Sequence, residues 1–270
     1  VIAVRAARRG RCVVMVHHAA PISGWRPRLM TRIGAELAHE VVVSTPVMAD
    51  LLTGIGVRPS KITVIPLGVP PPREAPSQRE ARARLSLPPG AFVVAAVARL
   101  DRGKNIPQLV RCVATLVRDG VDAHLVVAGV GEEFEPAAEL IARTLPGRGH
   151  LLGRVAMLDD VYASADVFAL PSREEGFGLV FLEAAWHGVP SVAYAVGGVP
   201  YAINDGVTGV LVPLDDEAAF ADQLRRLHDE PAWRRRLGDA ARARVAAEFS
   251  DTVMTERHLA ALRVTLGDRE

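Results

Sequence analysis

Cysteine, lysine and aromatic residues are scarce in this chain of 270 residues. Its two cysteines, Cys12 and Cys112, form neither a CxxC pair nor the even set of a disulfide scaffold. We therefore expect no cysteine-based metal site and no secreted disulfide framework. No apolar run approaches the roughly 18 residues of a membrane span, and the first residues lack the apolar core of a signal peptide. These absences predict a cytoplasmic location.

Charge of either sign is not in large excess. The 32 basic and 31 acidic residues give a net charge of +1, which does not suggest a nucleic-acid partner. Almost every basic residue is an arginine, since Lys61 and Lys104 are the only lysines. Basic residues are concentrated in 1–60 and in 225–244. Two interpretations of these segments stay open, namely peripheral contact with the inner membrane surface and a solvated charged face.

Short apolar runs rich in β-branched residues alternate with helical patterns along the whole chain. The runs are continuous rather than alternating in polarity, which predicts parallel strands buried on both faces of a sheet. From residue 91 onward the regular alternation is typical of a doubly wound α/β fold. The predicted strands are 12–17, 40–44, 62–66, 92–98, 124–129, 150–152, 166–171, 190–195 and 210–213.

A proline-rich segment divides the chain into two halves. Residues 66–90 contain seven prolines, which excludes the interior of a sheet. We predict a partial N-terminal domain over 1–68, a linker over 69–90 and a C-terminal Rossmann-like domain over 91–250. A helix over 251–270 is expected to pack back on the N-terminal domain. Three strands are few for an independent domain, so we expect the first domain to be incomplete.

The most informative segment is 172–192, with the sequence SREEGFGLVFLEAAWHGVPSV. It follows a predicted strand and opens a helix, so it lies at the carboxyl end of the sheet, where open α/β sheets bind ligands. Gly176 and Gly178 permit a tight turn, and the helix start offers free N–H groups to an anion. Glu175 precedes the helix and Glu183 lies within it. The alternative is that the acidic residues only stabilise an exposed helix start, but this interpretation does not explain the glycines.

The string E-G-F-G-L-x-x-L-E-A-x-x-x-G-x-P resembles the E-x7-E signature of retaining glycosyltransferases of the GT-B fold, glycosyltransferase family 4. The resemblance implies two Rossmann-like α/β domains. It implies that Glu183 holds the ribose hydroxyls of a nucleotide-sugar and that Glu175 contacts hydroxyls of the donor sugar. The turn implied to bind the donor comprises Gly176, Phe177, Gly178 and Leu179.

A second segment, VVAAVARLDRGKN over 93–105, resembles the first strand and loop of the family's C-terminal domain. Arg99 and Lys104 match the family's Arg and Lys, which are implied to neutralise the pyrophosphate as the nucleoside diphosphate leaves. Such a site needs no metal. The sequence also contains no D-x-D, the motif of the metal-bound donor site in the other main glycosyltransferase fold. We therefore expect neither a metal nor another cofactor.

Weaker matches surround these two segments. Gly129 and Gly131 resemble a glycine turn beside the donor, although a lone GxG is a weak signal. Arg154 and Val155 resemble the loop that lines the nucleobase. His17 matches a strand-end histidine near the sugar, with a structural role as its alternative. The turn 197–200 resembles the family's glycine turn opposite the donor, but a tyrosine follows it where the family usually has glutamate.

The resemblance implies an enzyme that moves a sugar from a UDP-, GDP- or ADP-linked donor to a glycan, lipid or small-molecule acceptor, with retention of configuration. The family begins with a strand and a glycine-rich loop, and neither is found in the first residues of this chain. Two alternatives therefore stay open. One is a nucleotide-sugar-binding remnant without transfer activity. The other is a nucleotide-sugar epimerase of the GT-B fold, which the two motifs favour less.

Overall fold

A computed structural model of the chain describes residues 13–16, 25–73 and 76–266. All strands in this part of the chain pair in parallel, within two separate sheets that helices cover. The predicted α/β class is therefore confirmed. The chain divides into two compact units, one formed by residues 1–70 and 248–270 and the other by residues 71–247.

The first unit contains a three-stranded parallel sheet in the order β1-β2-β3. Its strands and helices are β1 Val13–Val16, α1 Trp25–Leu37, β2 Glu40–Val43, α2 Pro46–Gly54, β3 Ile62–Val64 and α11 Asp251–Leu266. The sheet packs on one face against helices α1 and α2 through Ala35, Met48 and Leu52. On the other face, side chains of α11 pack against Val13 and Val42. The last helix of the chain thus belongs to the same unit as its first strands.

The second unit contains a six-stranded parallel sheet in the order β6-β5-β4-β7-β8-β9. Its strands are β4 Phe92–Val97, β5 Ala123–Ala128, β6 Gly149–Gly153, β7 Val167–Leu170, β8 Ser191–Tyr194 and β9 Gly209–Val212. Its helices are α3 Gln78–Arg84, α4 Ile106–Arg118, α5 Phe134–Thr144, α6 Asp159–Ser164, α7 Leu179–Trp186, α8 Val199–Ala202, α9 Glu217–Asp229 and α10 Pro231–Glu248.

The core of the second unit explains its continuous apolar strands. Every residue of β4, β5, β7 and β8 is buried, because helices cover both faces of the sheet. Helix α4 adds an apolar face that includes Leu109, Val113 and Leu116. Cys112 lies on the same helix, and burial raises the pKa of its thiol to about 12. That cysteine is therefore a core residue rather than a reactive thiol.

The strand order fixes where this unit can bind a ligand. The chain runs outward from β4 through β5 to β6, then returns and continues on the other side of β4 with β7. The connections that leave the carboxyl ends of β4 and β7 therefore turn to opposite sides and open a crevice between them. Open α/β sheets bind their ligands at such a switch point.

The predicted linker over 69–90 differs from the structure in its extent. Residues from 71 onward belong to the second unit, and α3 lies within the predicted linker. This helix begins with a capping box between Ser77 and Glu80. Its buried Arg82 donates hydrogen bonds to the carbonyls of Ser164 and Pro89 and pairs with Asp166. These contacts hold the segment on the second unit.

Within the described residues, no helix is long and apolar enough to cross a membrane.

Two histidines face each other at the amino ends of neighbouring strands. Nδ1 of His124 in β5 lies 3.2 Å from Nε2 of His150 in β6, and the two rings are stacked. Burial lowers the pKa of both imidazoles, and the proximity of His150 lowers that of His124 further. The folded chain therefore takes up these protons at a lower pH than the unfolded chain does.

We expect the free energy of unfolding to decrease as the pH falls below about 6.5, the usual pKa of histidine. In that range the imidazoles bind protons in the unfolded chain but not in the folded chain. Their contribution to the stability of the fold is therefore fully present at higher pH and decreases on acidification. Urea unfolding at about pH 7.5 and about pH 5.5 measures the difference. The difference in unfolding free energy between the two pH values should be smaller in His150→Gln than in the parent chain. It should be unchanged in His39→Gln, whose imidazole is exposed. An equal pH dependence in both variants would contradict this account.

Candidate active site

The segment that follows β7 turns the chain sharply into helix α7. Gly178 has a φ of +85° at the residue that precedes the helix, and a Cβ there would lie 2.5 Å from Cδ2 of Phe181. Only glycine fits this position without strain. The turn directs the start of α7 toward the carboxyl ends of the strands, at the switch point of the sheet.

The first turn of α7 has unpaired donors. The amides of Gly178, Leu179 and Val180 donate no hydrogen bond to any residue that the structure describes. Such N–H groups, together with the positive end of the helix dipole, form a favourable position for an anion. The structure thus brings the turn predicted from the sequence and the helix start into one feature.

The loop after β4 contacts the loop after β7. Nζ of Lys104 lies 2.5 Å from Oε2 of Glu175, and only 19% and 13% of the two side chains are exposed. The amide of Arg173 also donates a hydrogen bond of 2.8 Å to the carbonyl of Gly103. The two motifs that were recognised separately in the sequence therefore meet through an ion pair between their charged residues.

Arg99 is placed differently from Lys104. Its side chain is 80% exposed, and its Nε lies 2.8 Å from Oδ2 of Asp101 in the same loop. In this structure it contacts neither Lys104 nor Glu175. The guanidinium is thus an exposed cation paired with Asp101 and is not part of the ion pair between Lys104 and Glu175.

Glu183 has a partner that the sequence did not reveal. The buried hydroxyl of Tyr162, from α6, donates a hydrogen bond to Oε2 of Glu183 in α7. Burial and the adjacent Glu183 carboxylate raise the pKa of Tyr162 well above its usual value, so the hydroxyl keeps its proton. The ring of Tyr162 stacks on that of His187. The carboxylate of Glu183 is therefore held by a donor fixed in the core.

A glycine pair supports the loop that carries Glu175. A Cβ on Gly197 would lie 1.9 Å from the carbonyl oxygen of Glu175, and one on Gly198 would lie 2.1 Å from that of Gly176. The amide of Gly198 also donates to the carbonyl of Glu175 at 3.2 Å. The turn after β8 thus packs directly on the backbone of the loop, where no side chain fits.

Four of the remaining predicted residues follow the neighbouring strands β5 and β6, and two lie at the turn into α7. The amide of Gly129, after β5, donates to the carbonyl of Gly153 at the end of β6, and Gly131 follows in the same turn. Arg154 is exposed and Val155 is half-buried directly after β6. Phe177 is buried, and its ring meets that of Tyr201 edge-to-face. Leu179 is 37% exposed at the head of α7. His17 lies outside the described residues.

Acidic and histidine side chains do not gather into a metal centre in the part of the chain that the structure describes, where no group of three or more such ligands occurs. The carboxylates of the site have other partners, a lysine for Glu175 and a tyrosine for Glu183. The expectation that no metal takes part stays a prediction.

Comparison with known families identifies this arrangement. Residues 77–244 match the family described as glycosyl transferases group 1, and residues 1–73 match the one described as glycosyltransferase family 4. The chain belongs to the group 1 glycosyl transferases. The family assignment made from the E-x7-E string is therefore confirmed, and the match of the first family covers every described residue of the site.

Curated relatives include a D-inositol 3-phosphate glycosyltransferase of Actinosynnema mirum, 40% identical over 243 residues. Another of the same name, from Saccharomonospora viridis, is 39% identical over 251 residues. The alignments cover 83% and 84% of this chain but only 57% of each relative. The chain thus spans little more than half the length of these proteins.

Solved structures with a similar fold include sucrose-phosphate synthase from Thermosynechococcus elongatus, at a TM-score of 0.79 and 27% identity. That alignment covers 95% of this chain and 68% of the synthase. Anabaena HepE in complex with UDP-glucose matches at a TM-score of 0.80 and 21% identity, over 93% of this chain and 72% of HepE. The second likeness supports the GT-B type of fold alone.

Substitution of Gly197 tests whether the glycine pair shapes the loop. Gly197→Ala should lower the free energy of unfolding by about 1–3 kcal/mol more than Gly206→Ala does, because its new methyl group overlaps a backbone carbonyl. Gly206 is the matched control, since its φ is also positive but no atom lies within 4 Å of its Cβ position. Urea unfolding measures both variants. Equal losses would show that the contact with Glu175 is unimportant.

Proposed function

We propose that the chain binds a nucleotide-sugar at the head of α7 and forms the donor side of a retaining, metal-independent glycosyltransferase. The observation that carries this proposal is the contact between Lys104 and Glu175 beside the unpaired amides of α7. A lysine, a carboxylate and free N–H groups meet there at the switch point of the sheet. Those groups match a phosphate and the hydroxyls of a sugar.

The diphosphate of the donor would take its countercharge from the protein. It would accept hydrogen bonds from the amides of Gly178 and Leu179 and would draw Lys104 away from Glu175. Arg99 is 80% exposed, and an exposed ion pair such as the one with Asp101 contributes little energy, so its guanidinium can turn to a phosphate at little cost. These cations would stabilise the negative charge that develops as the nucleoside diphosphate leaves. On this ground we propose that no metal is needed.

The two carboxylates would each bind a different set of hydroxyl groups on the donor. Once Lys104 has turned to the diphosphate, Glu175 is free to accept hydrogen bonds from the donor sugar. Glu183 would accept from the ribose hydroxyls, with one of its oxygens kept in place by Tyr162. Because that hydroxyl stays protonated, it donates to Oε2 and leaves the other carboxylate oxygen to accept from the ribose.

The transfer that we propose exchanges one bond at the anomeric carbon for another. The bond from that carbon to the β-phosphate oxygen breaks, and a bond from the acceptor oxygen forms on the same face of the sugar. The acceptor proton passes to the leaving phosphate, so no side chain is needed as a general base. In the step that we propose the acceptor oxygen attacks directly, and no side chain forms a bond to the anomeric carbon. The names of the curated relatives make an inositol phosphate the first acceptor to test.

Removal of the lysine charge tests the diphosphate site. Lys104→Gln should bind UDP about tenfold to a hundredfold more weakly than the parent chain, because a charge-assisted hydrogen bond is lost. Arg102→Gln is the matched control, since Arg102 lies in the same turn but is 88% exposed and pairs with Glu133. Calorimetric titration with UDP, GDP and ADP measures all three proteins. Unchanged affinity in Lys104→Gln for every nucleotide would contradict the assignment.

Tyr162→Phe tests the separate role of Glu183. Loss of the hydroxyl should weaken binding of UDP by roughly threefold to tenfold, because a hydrogen bond of about 1 kcal/mol no longer holds the carboxylate. Binding of inorganic pyrophosphate, which has no ribose, should not change. Competition titrations with the two ligands compare the effects. A similar loss of affinity for both ligands would show that Tyr162 supports the fold in general rather than ribose binding.

A further inference from the structure

A cavity of about 330 Å³ lies in the second unit at the end of the sheet opposite the candidate active site. Asp166, which directly precedes β7, and Pro190, which directly precedes β8, both line it. The amino ends of these strands therefore form its floor. The proposed donor site lies at their carboxyl ends, so the two places are separated by the length of the strands.

Cationic side chains dominate the polar lining of the cavity. Arg234, which is half-buried, and Arg235, which is exposed, line it from the first turns of α10, and Asp166 is the carboxylate among its lining residues. The imidazole of His187 forms part of the wall, with its Nε2 3.1 Å from Asp159. Positive charge thus exceeds negative charge at the cavity surface.

The carboxylate of Asp166 is already occupied by other partners. Its Oδ2 accepts hydrogen bonds from Arg82 at 2.7 Å and from the amide of Val93 at 2.8 Å. Arg234 reaches its Oδ1 only at 3.5 Å. Since one carboxylate serves two arginines, it leaves no charge to neutralise Arg235.

Arg234 and Arg235 differ in how firmly they are held. The guanidinium of Arg234 donates to the carbonyl of Leu227 and lies 5.4 Å from the centre of the Phe92 ring. Burial lowers its pKa, and the nearby charges of Arg235 and Arg82 lower it further. Arg235 forms no ion pair or hydrogen bond with a described residue. The cavity therefore combines a fixed cation with an adaptable one.

We infer that this cavity binds a small oxyanion, a phosphate or a carboxylate, between Arg234 and Arg235. Its volume is at the lower limit of small-molecule pockets, which suits a compact metabolite rather than a nucleotide. An oxyanion offsets the excess positive charge and offers acceptors to the five N–H donors of Arg235. The inference does not rest on the proposed function, because no residue proposed to touch the donor lines the cavity, although His187 in its wall stacks on Tyr162.

The test uses inorganic phosphate and citrate as probes of the two oxyanion chemistries. Calorimetric titration of the whole chain should show binding of at least one of them. Arg235→Gln should weaken that binding about tenfold or more, as expected for the loss of a charge-assisted hydrogen bond. Arg236→Gln, a neighbour that is exposed like Arg235 but does not line the cavity, should bind as the parent does. Arg235 has no ion pair or hydrogen bond among the described residues, so its replacement should not disturb folding.

The proposed donor site at the head of α7 could also bind phosphate. A titration of Lys104→Gln distinguishes the two sites. In Lys104→Gln the binding that depends on Arg235 should remain. Binding that is lost in Lys104→Gln and kept in Arg235→Gln would place the anion at the donor site and overturn this inference. It would also be overturned if neither probe bound, or if Arg235→Gln and Arg236→Gln had equal affinities.

Discussion

The ion pair between Lys104 and Glu175 is the interaction on which the site depends. It joins the loops that leave β4 and β7, and the hydrogen bond from Arg173 to Gly103 fixes the same junction through the backbone. Both charges are largely removed from water, so each needs the other while no ligand is present. In the proposed complex a diphosphate would replace Glu175 as the partner of Lys104, and sugar hydroxyls would donate hydrogen bonds to the carboxylate.

The sheet, two glycine turns and a buried tyrosine hold the loops around the ion pair in place. The carboxyl ends of β4 and β7 lie side by side because the two strands are parallel neighbours. Strands β5 and β6 are added on one side of β4 and those from β7 onward on the other. The turn at Gly197 lies against the backbone of the loop that carries Glu175, and Gly178 directs α7 toward it. Tyr162 fixes Glu183 from the core side. Backbone packing therefore holds the loops together with the two side-chain contacts of Glu175 and Glu183.

Much of this could be predicted from the sequence, because strands buried on both faces leave continuous apolar runs and a glycine turn before a helix has a distinctive pattern. The partners of the charged residues could not. Lys104 and Glu175 lie 71 positions apart, and each was assigned to the ligand rather than to the other. Tyr162 is a buried aromatic residue with no local motif. The helix within the predicted linker was also missed as part of the second unit, since its anchor, Arg82, pairs with the distant Asp166.

A crystal structure of the chain with UDP tests the central claim most directly. The account predicts that the diphosphate lies within hydrogen-bonding distance of the amides of Gly178 and Leu179. It also predicts that Nζ of Lys104 has moved from Glu175 to a phosphate oxygen and that the ribose contacts Glu183. A structure with the nucleotide bound elsewhere, and with the ion pair between Lys104 and Glu175 intact, would contradict it.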